Sequence, residues 1–276
     1  MIVLTLRGAL DVPLEAETVT PDAFAGQALG AIERLPVLQG NRPGRLGDFF
    51  AVSGRADDRI RVAGDAARVK YLGKGMTRGR LEVEGDAGMH VGAEMRGGEL
   101  VVGGDAGDWA GAEMRGGVLR VAGRAGHLLG AAYRGSPRGM RGGAILVAGS
   151  AGHETGAGMR RGLIAVGGDT GDFPGASMLA GTIVVAGRLG IRAGAGMRRG
   201  TILALQGSDA GTPGPLALLP TFVFDCEYRP AWIDVYLREL ARLGFEAPGA
   251  AAGRFRRYSG DLVELGKGEI LAWTSA

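Results

Sequence analysis

Seven of the nine methionines in this 276-residue chain stand in one column. Met76, Met95 and Met114 follow one another at intervals of 19, and so do Met140, Met159, Met178 and Met197. The interval from Met114 to Met140 is 26, one period plus a seven-residue insertion assigned to Tyr133–Gly139. A fixed period of about 20 residues means one small unit repeated, each copy burying its apolar face on the next.

Other columns keep step with the methionines. Three residues after each stands a glycine: Gly79, Gly98, Gly117, Gly143, Gly162, Gly181 and Gly200. Three before, allowing for the insertion, stand Gly73, Gly92, Gly111, Gly130, Gly156, Gly175 and Gly194. Five after comes Leu or Ile, from Leu81 to Ile202, and seven after comes Val, with Ala204 in the last copy. Gly85, Gly104, Gly123, Gly149, Gly168 and Gly187 close the unit, and the last copy runs on to Gly207. This is a short alternating strand bounded by glycines, with Ile and Val on one side and Glu82, Arg120 and their equivalents on the other. A helix does not fit between strands, because each interior glycine would cost it about 1 kcal/mol. The expected fold is all-β: a right-handed β-solenoid (β-helix) of 19-residue coils, with Leu/Ile, Val and Met ladders inside and glycine at corners that need positive φ.

Composition agrees. Glycine reaches 53 residues without the strict triplet of collagen, and 46% hydrophobic residues argue against disorder. The formal net charge of +3 is not a nucleic-acid-binding balance. The single cysteine, Cys226, can form neither an internal disulfide nor a cysteine metal site by itself. "MIVLTLRGALD" lacks the basic start of a signal peptide, and no stretch has the apolar length of a membrane span. A soluble, cytoplasmic protein is expected.

The ends differ from the middle. Residues 1–58 form an N-terminal cap, with a strand-like "MIVLTL" and a helix start at Thr20–Pro21. Residues 59–207 form the repeat, and 208–276 a C-terminal cap with one amphipathic helix in "RPAWIDVYLRELARLG". Its apolar face is Trp232, Tyr236, Leu240 and Leu243, Gly244 stops it, and linkers at 208–220 and 244–253 flank it.

The recurring "GxxxGxxMxxGxIxVxG" resembles the glycine-rich repeat in the C subunit of formylmethanofuran dehydrogenase, a repeat shared with the C-terminal domain of the glutamate synthase large subunit. "LQGNRPGRLGDFFAVSG", "LLPTFVF" and "RYSGDLVELGKGEIL" resemble the first family's segments outside the repeat. The resemblance implies a scaffold subunit of a one-carbon complex with A, B and D type partners. One such complex is the bacterial formyltransferase/hydrolase, which uses a methanofuran-like carrier and a tetrahydromethanopterin derivative and releases formate. The other is the archaeal dehydrogenase, which reduces CO2. Of the 32 basic residues only Lys70, Lys74 and Lys267 are lysine, a bias that suits a GC-rich bacterium. A glutamate synthase-like domain and a free-standing enzyme are the remaining alternatives.

No catalytic residues can be assigned: spacing offers no Ser-His-Asp or Cys-His arrangement. Two rows are candidate sites. Asp108, His127, His153 and Asp172 share one column, about 5 Å per step if the coils stack. The row reads as a divalent-metal ladder or as solvated charge beside a protein contact. Arg96, Arg115, Arg141, Arg160 and Arg198 each follow a column methionine, with Thr77 and Leu179 breaking the run. If the methionine points inward, its neighbour points out. The arginines then pair with carboxylates such as Glu94 and Glu113, or dock the acidic groups of a neighbouring protein or of the carrier's glutamyl tail.

Overall fold

The computed structural model describes residues 1–55, 57–206, 216–246 and 253–274. Gly207 and parts of both linkers, 208–215 and 247–252, lie outside the described residues. The chain opens with β1 (Ile2–Leu6), β2 (Leu14–Glu15), α1 (Pro21–Phe24), α2 (Leu29–Glu33), β3 (Pro36–Gln39), β4 (Arg42–Arg45), α3 (Leu46–Phe49) and β5 (Phe50–Gly54). Next come β6 (Arg59–Ala63), β7 (Val69–Lys70), β8 (Arg80–Val83), β9 (Arg96–Val102), β10 (Gly116–Val121), β11 (Arg141–Val147), β12 (Arg161–Val166), β13 (Thr182–Val185) and β14 (Arg199–Ala204). The last elements are β15 (Val223–Tyr228), α4 (Ile233–Arg242), β16 (Arg254–Gly260) and β17 (Lys267–Thr274).

The fold is all-β with few helices. Thirteen strands form one sheet in the order β15-β16-β17-β14-β13-β12-β11-β10-β9-β8-β6-β1-β5, and β4-β3-β2-β7 form a second. From β1 to β17 neighbouring strands run parallel, and the columns stay in register: Ile60, Leu81, Leu100, Leu119, Ile145, Ile164, Ile183, Ile202 and Ile270 pair in succession. A second parallel line of single bridges joins Ala66, Ala87, Ala106, Ala125, Ala151 and Thr170. Antiparallel strands finish the array at both ends, β5 on β1 and β16–β15 on β17. No helix among the described residues is long and apolar enough to cross a membrane.

The methionine–glycine pairing has a packing cause. All seven column methionines are buried. A Cβ on Gly162 would lie 2.8 Å from the Met140 methyl, on Gly181 2.9 Å from that of Met159, and on Gly200 2.8 Å from that of Met178. Each methionine therefore fills the space that a side chain would take three residues past the methionine of the next repeat. The main chain turns there as well, with φ +108° at Gly162. The insertion lies where the spacing puts it. Met140 N–H donates to the Gly130 carbonyl at 2.9 Å, the bond that Met159 makes to Gly156 at 3.0 Å.

The structure departs from the sequence reading in four places. The repeat does not end at 207: β17 lies parallel on β14, pairing Gly200 with Gly268 and Ile202 with Ile270. A Cβ on Gly268 would meet the Met197 methyl at 2.8 Å, so the column rule holds there too. The stretch after Thr20 is two short helices; Thr20 caps the first by accepting the Ala23 N–H at 3.1 Å, and Gly26 at φ +71° separates them. The outward face is not uniformly polar. It carries Glu82, Val101 and Arg120, then Leu146, Ala165, Val184 and Leu203. Finally, α4 covers that apolar half of the face as well as following the repeat. Its buried residues are Ile233 and Leu240, packed in one cluster with Leu146, Leu163, Ala165, Val184 and Leu203. Trp232 precedes the helix and packs edge-on to Tyr236 at 5.2 Å; both are half-buried against the same cluster as Leu240 and Leu243, so the expected face holds and is widened by Ile233.

Candidate functional site

Each repeat bends at its methionine, and the next residue donates its N–H to the preceding methionine's carbonyl. Arg96 bonds Met76 O at 2.8 Å, Arg115 bonds Met95 O at 2.7 Å, Arg141 bonds Met114 O at 2.7 Å, and Arg160 bonds Met140 O at 2.8 Å. These bonds align the arginines along one edge, and Arg198 continues it on Met178 O at 2.8 Å. Arg96, Arg115, Arg160 and Arg198 are exposed, and Arg141 is half-buried. Arg198 Nε donates to Glu264 Oε2 at 3.0 Å, and Arg141 lies 3.8 Å from Glu113. Among the described residues no carboxylate lies within ion-pair distance of Arg96, Arg115 or Arg160.

The sequence reading missed Arg161. It stands directly opposite Arg141 in the β11–β12 pair. Arg141, Arg160 and Arg161 line an open groove of about 420 Å³ floored by Leu179 and Ala180, where the arginine column lapses. The signal was the doublet Arg160–Arg161, whose second member lies outside the column.

The Asp/His row serves the backbone. Asp108 Oδ1 accepts the His127 N–H at 2.7 Å, His127 Nδ1 accepts the His153 N–H at 3.0 Å, and His153 Nδ1 accepts the Asp172 N–H at 2.8 Å. A second row does the same through Asp86, Asp105, Ser150 and Asp169. The two imidazoles stack 4.9 Å apart at 4°. Accepting at Nδ1 places the ring proton on Nε2, and parallel rings do not converge their nitrogens on one point. No cluster of three or more His, Cys, Asp or Glu positioned for a metal occurs among the described residues.

A third cluster was not anticipated. Five residues before each methionine, allowing for the insertion before Met140, the backbone is left-handed although no glycine stands there: Tyr71, His90, Trp109, Leu128, Glu154, Phe173 and Arg192 have φ of 57–64°. Each of the first six donates its N–H to the following repeat, as His90 does to Asp108 O at 2.8 Å. The side chains consequently stack. His90 lies 4.4 Å from Tyr71 and 5.5 Å from Trp109, and the insertion folds back to set the Tyr133 hydroxyl 3.1 Å from His90 Nδ1. Burial, then Lys70 and Lys74, pushes the His90 imidazolium down to about 4. Burial also raises the Tyr133 phenol. A neutral, clamped histidine packs the insertion onto the repeats.

No protein-family profile matches the chain. Likeness to individual proteins is clear. The chain is 45% identical over 95 residues to the C subunit of the molybdenum-containing formylmethanofuran dehydrogenase 1 of Methanosarcina barkeri, covering 33% of this chain and 32% of that protein. It is 42% identical over 95 residues to the C subunit of the tungsten-containing formylmethanofuran dehydrogenase 2 of Methanothermobacter thermautotrophicus, covering 33% and 35%. The chain thus matches about a third of the length of these curated relatives. A chain in the crystal structure of the Methylorubrum extorquens formyltransferase/hydrolase complex (FhcABCD) with methylofuran superposes with a TM-score of 0.89 and 37% identity, covering 99% of both chains.

Proposed function

The chain belongs to the family of formylmethanofuran dehydrogenase C subunits, and on that premise we propose that it is the scaffold subunit of a formyltransferase/hydrolase complex. The observation that carries this reading is the 37% identity maintained over 99% of both chains with a member of such a complex. In this reading the chain holds A, B and D type subunits in the cytoplasm. The assembly moves a formyl group between tetrahydromethanopterin and a methanofuran-like carrier and releases formate. The parallel array with its second line of alanine bridges supports reading residues 59–207 as a right-handed β-solenoid, with 1–58 and 208–276 as caps that each add a parallel strand to it, β1 on β6 and β17 on β14.

A scaffolding role is supported by how the polar groups are used. His127 and His153 accept backbone N–H groups, and His90 is held neutral against Tyr133. None is free to move a substrate proton without breaking a contact that the fold uses. The archaeal-type dehydrogenase is the second reading, favoured by the 45% identity to its C subunit over 95 residues.

The test is to express the chain, tagged, with its candidate A, B and D type partners. Stable co-purification and formate release from the formylated pterin are expected of the assembly, with no turnover by the chain alone. Reduction of CO2 by the assembly would select the dehydrogenase. Failure to recover partners, or turnover by the isolated chain near that of the assembly, would overturn the scaffold reading.

A further inference from the structure

We infer that the groove between Arg141, Arg160 and Arg161 seats the carboxylates of an acidic peptide segment belonging to a partner chain. Arg141 and Arg161 face each other across the β11–β12 ladder. Like charges placed directly opposite are unfavourable in a sheet, and among the described residues the one carboxylate at ion-pair distance is Glu113, 3.8 Å from Arg141. Arg141 Nε is buried without a hydrogen-bond partner. A buried, unsatisfied guanidinium nitrogen is costly, and a carboxylate entering the groove supplies what it lacks. The insertion beside this edge adds Arg134 and Arg138, both exposed.

The chain itself shows the chemistry of the occupant. Further along the same edge Asp261–Gly266, an irregular stretch leading into β17, brings Glu264 to Arg198, Nε to Oε2 at 3.0 Å. There a carboxylate carried on a crossing segment satisfies the arginine row. At Arg160 and Arg161 no described residue of this chain does so. The backbone N–H groups of Arg141 and Arg160 are bound to Met114 and Met140 carbonyls, so the groove offers side-chain forks and no nest of amides for a phosphate. The forks repeat at the strand spacing, which suits an extended segment with several carboxylates better than one small anion. Leu179 and Ala180 provide an uncharged floor.

The test uses the full chain and a fluorescent Asp/Glu-rich peptide, read by anisotropy at low and at physiological salt. Binding that weakens with salt is expected. It should fall roughly tenfold or more in R141Q/R160Q/R161Q, the loss of about one charge-assisted pair or greater. Lysine at the same positions should restore part of it, since charge returns without the fork. A control triple, R59Q/R78Q/R254Q, should bind as the parent does. Circular dichroism and thermal unfolding establish that each variant is folded, and R160Q/R161Q replaces the triple if Arg141 proves necessary for folding. Equal losses in both triples, unchanged binding in the groove variant, or tighter binding of a single-stranded oligonucleotide of matched charge would each overturn the inference. The partner's identity rests on the scaffold reading. The peptide does not, so failure of the groove and failure of the complex are separately visible.

Discussion

The strands β8–β10 and β11–β14 share one interior and differ outside. Inward they present the same Leu/Ile, Val and Met columns, all buried. Outward, the earlier strands carry charge: Glu99 takes Arg120 Nε at 2.8 Å and also pairs with Arg80, which holds its carboxyl below the usual range. The later strands carry Leu146, Ala165, Val184 and Leu203, and α4 lies on them. The period dictates what faces the core, because every copy meets its own likeness there. It leaves the outward column free, and in that column the chain acquires its individual contacts.

The comparison can be broken most forcefully by placing one charge in each half of the outward column. V184D buries a carboxylate under α4 and should cost about 4 kcal/mol or detach the helix. V101D, on the half-exposed early face, should stay within about 1 kcal/mol. Equal costs in urea unfolding would erase the distinction. The interior makes the opposite demand. M95A and M159A should each cost about 3 kcal/mol and agree within about 1, since both methyls fill equivalent glycine sites. A large disparity would mean that the early and late interiors are not equivalent.

The smallest effect belongs to the early side alone. The His90 value is depressed to about 4 in the fold, below its ordinary unfolded value. Its contribution is therefore complete above about pH 6.5 and is lost as pH falls toward about 4. For a half-buried, partly screened ring this amounts to about 1–2 kcal/mol. Unfolding free energies near neutral and near acid pH should differ by that much more in the parent than in H90F. An identical pH dependence in the two would remove the clamp from the account.

The interior was legible because the period repeats each environment, so one methionine column predicts seven buried side chains. The seat of α4 and the place of β17 left traces that the polar reading of the outward column and the end set at 207 passed over: Leu146, Ala165, Val184 and Leu203 occupy the column that begins with Glu82, and "KGEILA" copies "RGTILA" from β14. Other features left no such trace. The left-handed bends at Tyr71, His90 and Trp109 follow from bonds to the following repeat, and nothing in those side chains announces positive φ. The Asp108–Asp172 row suggested a metal by residue type. The direction in which its acceptors point depends on the backbone, which a column of letters does not contain.

Helix α4 has a consequence for how the molecule comes apart. In an array whose units touch only their neighbours, an end can fray one unit at a time, each loss costing a single interface. Here Arg120 on β10 donates to the Leu243 carbonyl, and Thr182 on β13 donates to the Tyr236 hydroxyl at 3.1 Å. The helix and its C-cap bridge five successive strands, β10 to β14, and none of them can peel away without unseating it. It acts as a splint that turns graded fraying into a joint event. The later half should exchange its amide hydrogens as one block, while the uncovered earlier strands open individually.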